Sequence, residues 1–467
     1  MHTTSRPHAP HLREAPAVAD LFVGFFRRDV SAFYPQSILE PLDEPTSDRD
    51  SFDGPAFRLI EHDDRPTGVE LFGLRYRLEP REGTEFNARD SRMIRAIGAV
   101  LNLRYHNLFQ IAHSKRMELF RGGSEDHYVA AYVEPDAYSP NSVRPSRIAS
   151  TILTLRTAAL STYENRRVST GALLVGQGDD HAHRCRPVPT DALPYGVELT
   201  SLKSIHQLCD GKRTLFLVDR DGRLAEIVDI ERWASEVAQG SEPEIPCARA
   251  FAAHARATRG SGHVCVVLSP NQEIKLFAAG AQAFSFAHGR WRILDPAAKF
   301  ASWQAAVGRP QLARSLFQAA LDLAEGRQGG LFVVVDRASG AVGRLIAPGD
   351  VVATDSVGPP QEITPGDPLA KRALHYLARD RAVTELDPSV LEALAGIDGA
   401  FVTDRAGRVL AFGAILRHDA AALPAYIPVE GARTTAAIVA SRFGPVLKVS
   451  EDGVISCFLR GARAWDL

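Results

Sequence analysis

An excess of charge of either sign is missing from this chain: 54 Lys and Arg against 56 Asp and Glu leave a net charge of −2 over 467 residues. No overall field draws it to nucleic acid or to an anionic membrane, so any charged ligand has to be held by a local cluster. Cysteine is scarce. The five (Cys185, Cys209, Cys247, Cys265 and Cys457) are odd in number, widely spread and never in C-x-x-C spacing. That pattern argues against a disulfide framework and fits reduced, structural thiols. Long apolar runs are also missing. None approaches the roughly 20 residues that cross a bilayer, and the opening MHTTSRPHAPHLREAP lacks the apolar centre of a secretory signal. A cytoplasmic protein without membrane contact is expected. No G-x-x-x-x-G-K-[ST] run occurs, which excludes a P-loop.

What is present is ordinary globular material, 45% hydrophobic and 24% charged, in a chain long enough for several cores. The first forty-odd residues read as a loose lead with one short helix around Val18 to Phe26. Phe57 to Ile60 and Val69 to Tyr76 read as strands. Asn87 is placed to cap a helix whose Met93, Ile94, Ile97, Val100, Leu101 and Tyr105 share one stripe. The segment Asp136 to Ser142 has the composition of a linker.

Beyond it the chain repeats itself. A helix-like stretch ending in Glu164 to Arg167 leads to Gly171-Ala172-Leu173-Leu174-Val175, and another, with Leu312, Leu316, Phe317, Ala320 and Leu323, leads to Gly330-Leu331-Phe332-Val333-Val334. Leu215 to Leu224 matches Ala400 to Val409, both reading strand, D-R-x-G-R turn, strand. Ala248-Arg249 matches Ala432-Arg433, each opening a helix before an apolar strand. The positions 219 to 249 and 404 to 433 bound intervals that differ by one residue. Three ordered matches in near-constant register predict two copies of one domain. The expected fold is therefore α/β and multi-domain: a small α/β domain over residues 1–138, of regulatory or assembly role by position, then two tandem mixed-sheet α/β domains over 143–300 and 305–467.

In the last copy three places hold chemistry-bearing residues at element ends, where open α/β sheets bind ligands. Asp398 heads a strand, followed by the small Gly399 and Ala400. Gly431-Ala432-Arg433-Thr434-Thr435 opens a helix, with backbone N–H groups, two hydroxyls and a guanidinium positioned for an anion such as phosphate. Ser450-Glu451-Asp452-Gly453 adds a hydroxyl and two acids at a hairpin. Taken singly, each reads first as a turn or an N-cap. His181-Ala182-His183-Arg184-Cys185 gathers metal-ligand types, but three so close without a distant fourth do not define a zinc site. The aromatics from Phe284 to Trp291 read as strand packing.

The order D-G-A, then a Gly-Arg helix start, then V-S-E-x-G-x-I-S resembles the diadenylate cyclase (DAC) domain family, whose motifs run D-G-A, G-T-R-H-R-A-A and V-S-E-E-T-G-x-I-S. The resemblance covers residues 305–467. It implies condensation of two ATP molecules into cyclic di-AMP with loss of two pyrophosphates, each domain holding one ATP and two domains meeting face to face. Self-association, or pairing of the two internal copies, is then expected. The resemblance assigns Asp398 and Glu451 to a Mg²⁺ or Mn²⁺ ion, Asp398 also to activation of the ribose 3′ oxygen, and Arg433 to triphosphate charge. It places Gly399, Ala400, Gly431, Thr434, Thr435 and Ser450 at the nucleotide. Arg433-Thr434-Thr435 stands where the family has R-H-R, and each charge-assisted bond so lost costs about 1.5 to 3 kcal/mol. A nucleotide sensor that makes no product is therefore the second function class expected. In the 143–300 copy, Arg213 aligns with Asp398, which implies a domain without a metal acid, able to sense a nucleotide through Lys212, Arg213 and Arg249.

Overall fold

The computed structural model describes residues 15–42, 56–82, 84–109, 116–142, 144–176, 188–189, 191–201, 205–237, 245–352, 371–417 and 431–467. The His181 to Cys185 run and the loop 424–428 lie outside them. The chain is mixed α/β. Its strands are β1 Ile38–Pro41, β2 Phe57–His62, β3 Arg65–Leu71, β4 Leu74–Glu79, β5 Thr162–Tyr163, β6 Arg166–Arg167, β7 Thr170–Leu174, β8 Thr214–Val218, β9 Leu224–Asp229, β10 Val264–Leu268, β11 Ile274–Ala278, β12 Ala281–Ala287, β13 Arg290–Ile293, β14 Gly330–Val335, β15 Ala400–Asp404, β16 Val409–Ala414, β17 Val446–Val449, β18 Ile455–Leu459 and β19 Ala462–Asp466. Its helices are α1 Ala15–Phe33, α2 Ala88–Phe109, α3 Ser124–Val133, α4 Arg147–Ala159, α5 Ile205–Leu208, α6 Ile230–Val237, α7 Ala252–Ala257, α8 Pro296–Val307, α9 Pro310–Glu325, α10 Ala338–Ala341, α11 Pro388–Ala395 and α12 Ala432–Ala440.

The N-terminal sheet is antiparallel in the order β1-β4-β3-β2. Helix α2 starts where Asn87 predicts. Its carboxamide oxygen accepts from the N–H of Arg89 at 2.8 Å, while Asp90 accepts from the N–H of Asn87 at 2.8 Å, a reciprocal cap. Met93, Ile94, Ile97, Val100 and Leu101 are buried. The sequence reading of one strand over Val69 to Tyr76 is corrected. Phe72 (φ 49°) and Gly73 (φ 77°) make a two-residue turn with both residues left-handed, splitting the run into β3 and β4. Helix α1 extends to Phe33, with Phe22, Phe26 and Val30 buried on one stripe. In the linker-like segment Asp136, Pro140 and Asn141 are exposed, but Tyr138 is buried in a 3₁₀ turn with its hydroxyl 2.9 Å from His127 Nδ1. Glu164 to Arg167 is the β5–β6 hairpin and not a helix end.

The two larger sheets repeat one topology. The middle sheet runs β13-β12-β11-β10-β7-β8-β9 and the C-terminal sheet β16-β15-β14-β17-β18-β19. In each, the first strand is central and parallel to the second, the third turns back antiparallel, and the fourth crosses to the other side of the first. The D-R-x-G-R turn is built alike in both. Asp219 Oδ1 accepts from the N–H groups of Asp221 (2.9 Å) and Arg223 (2.7 Å), and Asp404 Oδ1 from those of Ala406 (2.9 Å) and Arg408 (2.9 Å). Gly222 (φ 79°) and Gly407 (φ 88°) take the left-handed position that a side chain resists.

The register corrects one alignment. Leu268 lies opposite Thr170 and Ile274, and Val449 opposite Gly330 and Ile455, so Thr170, and not Gly171, occupies the place of Gly330. Both strands are buried on both faces, and a continuous apolar run carries no period that would fix its register.

By contact density the chain divides into two units, one of 1–230, 261–278 and 284–293, the other of 231–260, 279–283 and 294–467. Within the second unit, β14 separates two cores. Phe332 and Val334 join Trp303, Phe317, Leu447 and the inner faces of α9 and α11, while Leu331, Val333 and Val335 join Ala437, Ala440 and Phe458. Full burial of a side chain such as Phe332 contributes about 1.5 to 3 kcal/mol. Helices α8 and α9 are joined through Gly308 (φ 73°), which ends one, and Pro310, which begins the other.

Candidate functional site

One end of the C-terminal sheet collects groups from three separate stretches of sequence. Helix α11, capped by Asp387 accepting from the N–H of Ser389 at 2.8 Å, runs out at Gly396 and delivers Asp398 to the head of β15. Helix α12 begins at Gly431 (φ 87°), so Arg433 lies in its first turn. The five-residue connection from β17 to β18 carries Ser450 and Glu451. It is closed by the N–H of Ser450 donating to Val454 O and that of Gly453 to Ser450 O, each at 2.9 Å.

Arg433 sits between the two acids. One terminal nitrogen is 3.7 Å from Asp398 Oδ1 and the other 3.7 Å from Glu451 Oε1. Its side chain is 33% exposed, against 99% and 76% for the carboxylates. These are loose, solvated pairs worth little to stability, which leaves the guanidinium able to turn to a stronger anion. Among the described residues no group of three or more His, Cys, Asp or Glu is gathered. Asp398 and Glu451 are nonetheless hard oxygen donors in the number that Mg²⁺ or Mn²⁺ takes from protein when phosphates complete its shell. Asp398, Glu451 and Arg433 are thus brought together, with Ser450 half-buried beside Glu451 in the same connection.

Four of the expected nucleotide contacts are placed otherwise. Gly399 (φ 115°) is glycine because its backbone meets that of Gly413: a Cβ there would lie 2.4 Å from the Gly413 carbonyl carbon. The close approach is to a neighbouring strand. The methyl of Ala400 is buried in the core beside Val333 and Ala437. Thr434 is turned inward, 3% exposed, its hydroxyl accepting from Lys448 Nζ at 2.9 Å. The half-buried Thr435 donates to Gly431 O at 3.4 Å, a bond within the helix start. At Gly431 no atom of the described residues lies within 4 Å of the position a Cβ would take.

Two residues that the sequence reading passed over complete the site. A Cβ on Gly329 would fall 2.0 Å from a terminal nitrogen of Arg433, so this glycine is the seat of the guanidinium. Lys448 is the one charged residue in β17, V-L-K-V, and such an interruption of an apolar strand was the available signal.

The matching end of the middle sheet is built differently. Its β10–β11 connection has the same closure, Ser269 N–H to Glu273 O at 2.8 Å and Gln272 N–H to Ser269 O at 2.9 Å. Pro270 therefore occupies the place of Glu451, as Arg213 occupies that of Asp398. Asp210 folds its own turn, accepting from the N–H groups of Lys212 (2.8 Å), Arg213 (2.7 Å) and Thr214 (3.0 Å). Burial works to raise its carboxyl, but the three backbone donors outweigh it and hold the group below the usual aspartate range. Arg249, expected to face a nucleotide, is paired through Nε with Asp322 at 2.7 Å and through a terminal nitrogen with Glu392.

Among the described residues no helix is long and apolar enough to cross a membrane. No family model matches the chain, and no curated protein matches it. Several solved structures are similar over part of its length, two of them as follows. One, titled a hypothetical membrane spanning protein from Bacillus cereus, is 19% identical, with 35% of this chain and 69% of that chain covered and a TM-score of 0.25. The other, a double mutant of DacA from Staphylococcus aureus, is 19% identical, with 34% of this chain and 89% of that chain covered and a TM-score of 0.23.

Proposed function

We propose that the C-terminal copy is a divergent diadenylate cyclase-like nucleotidyltransferase domain that binds a nucleoside triphosphate, ATP or a relative, and condenses two of them into a cyclic dinucleotide. The observation that carries this reading is Arg433 lying 3.7 Å from both Asp398 and Glu451, three motifs distant in sequence meeting at one end of one sheet. Asp398 and Glu451 would hold a Mg²⁺ or Mn²⁺ ion, which would supply charge neutralisation and a lowered pKa for the attacking hydroxyl. Arg433 leaves its acids for the triphosphate, where negative charge grows as the leaving group departs. The open N-terminal end of α12 at Gly431 and the hydroxyl of Ser450 add donors to phosphate oxygens. In each of two condensations a ribose 3′ oxygen bonds to an α-phosphorus, the bond from that phosphorus to the bridging oxygen breaks, pyrophosphate leaves and the hydroxyl proton passes to solvent. With Arg213 and Pro270 in place of the two acids, the middle copy offers no second half-site, so the facing domain belongs to a second copy of the chain.

The inward Thr434 favours a second reading, a sensor that binds a nucleotide without turnover, because a hydroxyl buried against Lys448 is turned away from any phosphate at the surface. One experiment separates them: the purified chain is incubated with each labelled nucleoside triphosphate and Mg²⁺ or Mn²⁺, products are resolved by mass, and Asp398→Asn serves as control. A cyclic dinucleotide that disappears in the variant supports the synthase. Thermal stabilisation by nucleotide without product supports the sensor. Neither product nor stabilisation overturns both.

A further inference from the structure

The residue of the middle copy that matches Arg433 is Arg249, and its surroundings give it a different task. Its backbone N–H donates to Asp322 Oδ1 and its Nε to Asp322 Oδ2, each at 2.7 Å, while a terminal nitrogen donates to Glu392. Asp322 is in the last turn of α9 and Glu392 is in α11, so one guanidinium ties two helices together. Gln318 Nε2 reinforces the joint by donating to Cys247 O at 2.6 Å.

The parts of the candidate site rest on the C-terminal ends of these two helices and the residues just past them. Immediately beyond α9, Gly329 seats the Arg433 guanidinium. A Cβ on Gly330 would lie 3.4 Å from Ala395 O of α11. The Ser450 to Gly453 connection leans on the same end of α9, a Cβ on Gly453 falling 3.3 Å from Ala324 O. From α11, only Gly396 and Ile397 separate the helix from Asp398. The supports of Arg433, Glu451 and Asp398 are therefore the adjoining ends of α9 and α11, and Arg249 spans the pair.

We propose that Arg249 is a positioning residue for the Asp398, Arg433 and Glu451 cluster, acting through the joint between α9 and α11. Its role at a nucleotide rests on the function proposed above, but its effect on the geometry does not. Lysine at 249 cannot hold two carboxylates in a fixed fork as arginine does.

The test uses the full chain as wild type, Arg249→Ala, Arg249→Lys and, as a control at an exposed arginine, Arg166→Ala. Amide hydrogen exchange is read without ligand. Arg249→Ala is expected to speed exchange in 396–399 and 450–454 by about ten-fold while leaving the β18–β19 hairpin unchanged, with Arg249→Lys intermediate and Arg166→Ala without effect. ATP with Mg²⁺ is then titrated, and Arg249→Ala is expected to weaken binding by about ten-fold or more. Unchanged exchange in those two segments, or a uniform rise across the C-terminal sheet, overturns the positioning role. If the wild type neither binds nor converts ATP, the function proposed above fails, and the exchange result still decides the role of Arg249.

Discussion

The middle and C-terminal sheets share a strand order, a hairpin closure and a turn sequence, yet at the sheet end that could meet a ligand one presents Asp398, Arg433 and Glu451 and the other Arg213, Arg249 and Pro270. The residues held in common are those the backbone requires, an Asp that accepts two N–H groups and a Gly with positive φ. The ones that differ, Asp398 against Arg213 and Glu451 against Pro270, lie at element ends, and the arginine common to both places has different partners in each. Fold and chemistry are separable within this single chain.

The comparison breaks first in the cores. Phe332 and Ala172 take matching places beside Phe401 and Phe216. Phe332→Ala is expected to destabilise the second unit by about 3 to 5 kcal/mol through the cavity it leaves, and Ala172→Phe to cost the first about 1 to 3 kcal/mol by overpacking. Urea unfolding with tryptophan fluorescence reads both, and equal, small effects would refute the assigned register. Next in size, Asp398→Asn is expected to lower turnover by about a hundred-fold, while Arg213→Ala leaves it unchanged. Loss of activity in Arg213→Ala would bring the middle copy into the chemistry.

Smaller effects test what the sheets share. Asp219→Ala and Asp404→Ala are each expected to cost about 1 to 2 kcal/mol, since each strands two backbone donors in the same turn; thermal denaturation of the two variants should give similar losses. The smallest effect lies outside both sheets, at His127 in α3. Burial holds the pKa of His127 below its ordinary 6.5, against the raising effect of its bond to Arg121 O. The unfolded chain then binds the proton first, so stability declines as pH falls below about 6.5 and the decline ends once the folded imidazole titrates. Urea midpoints between about pH 7 and 5 should show this slope, and His127→Gln should remove it.

The sequence carried the repeat because D-R-x-G-R is a local device: its Asp and Gly are dictated by the turn they form. The Asn87 cap was legible for the same reason. What escaped depends on distant partners. Gly399 reads as an opening for a ligand until Gly413, on the next strand, is seen to fill it. Pro270 shares no letter with Glu451, and only matching hydrogen bonds reveal that they hold one position. Thr434 looks like a phosphate donor from its neighbours in sequence, but a helix start has an inner side, and Lys448 reaches it there. The meeting of Asp398, Arg433 and Glu451 was expected from family resemblance alone, since nothing in their spacing brings them together.

Carrying one strand order twice has a consequence for how this chain is made. Each sheet starts from a parallel pair whose members are far apart in sequence, β7 with β8 and β14 with β15, and such pairings form slowly. While they form, the second strand of either copy meets two candidate first strands of similar apolar character, and tandem domains of like topology are prone to exchange elements. At the matched place Phe401 and Phe216 are the same residue, so this contact does not tell Phe332 from Ala172, and the correct pairing has to be set by the rest of each core.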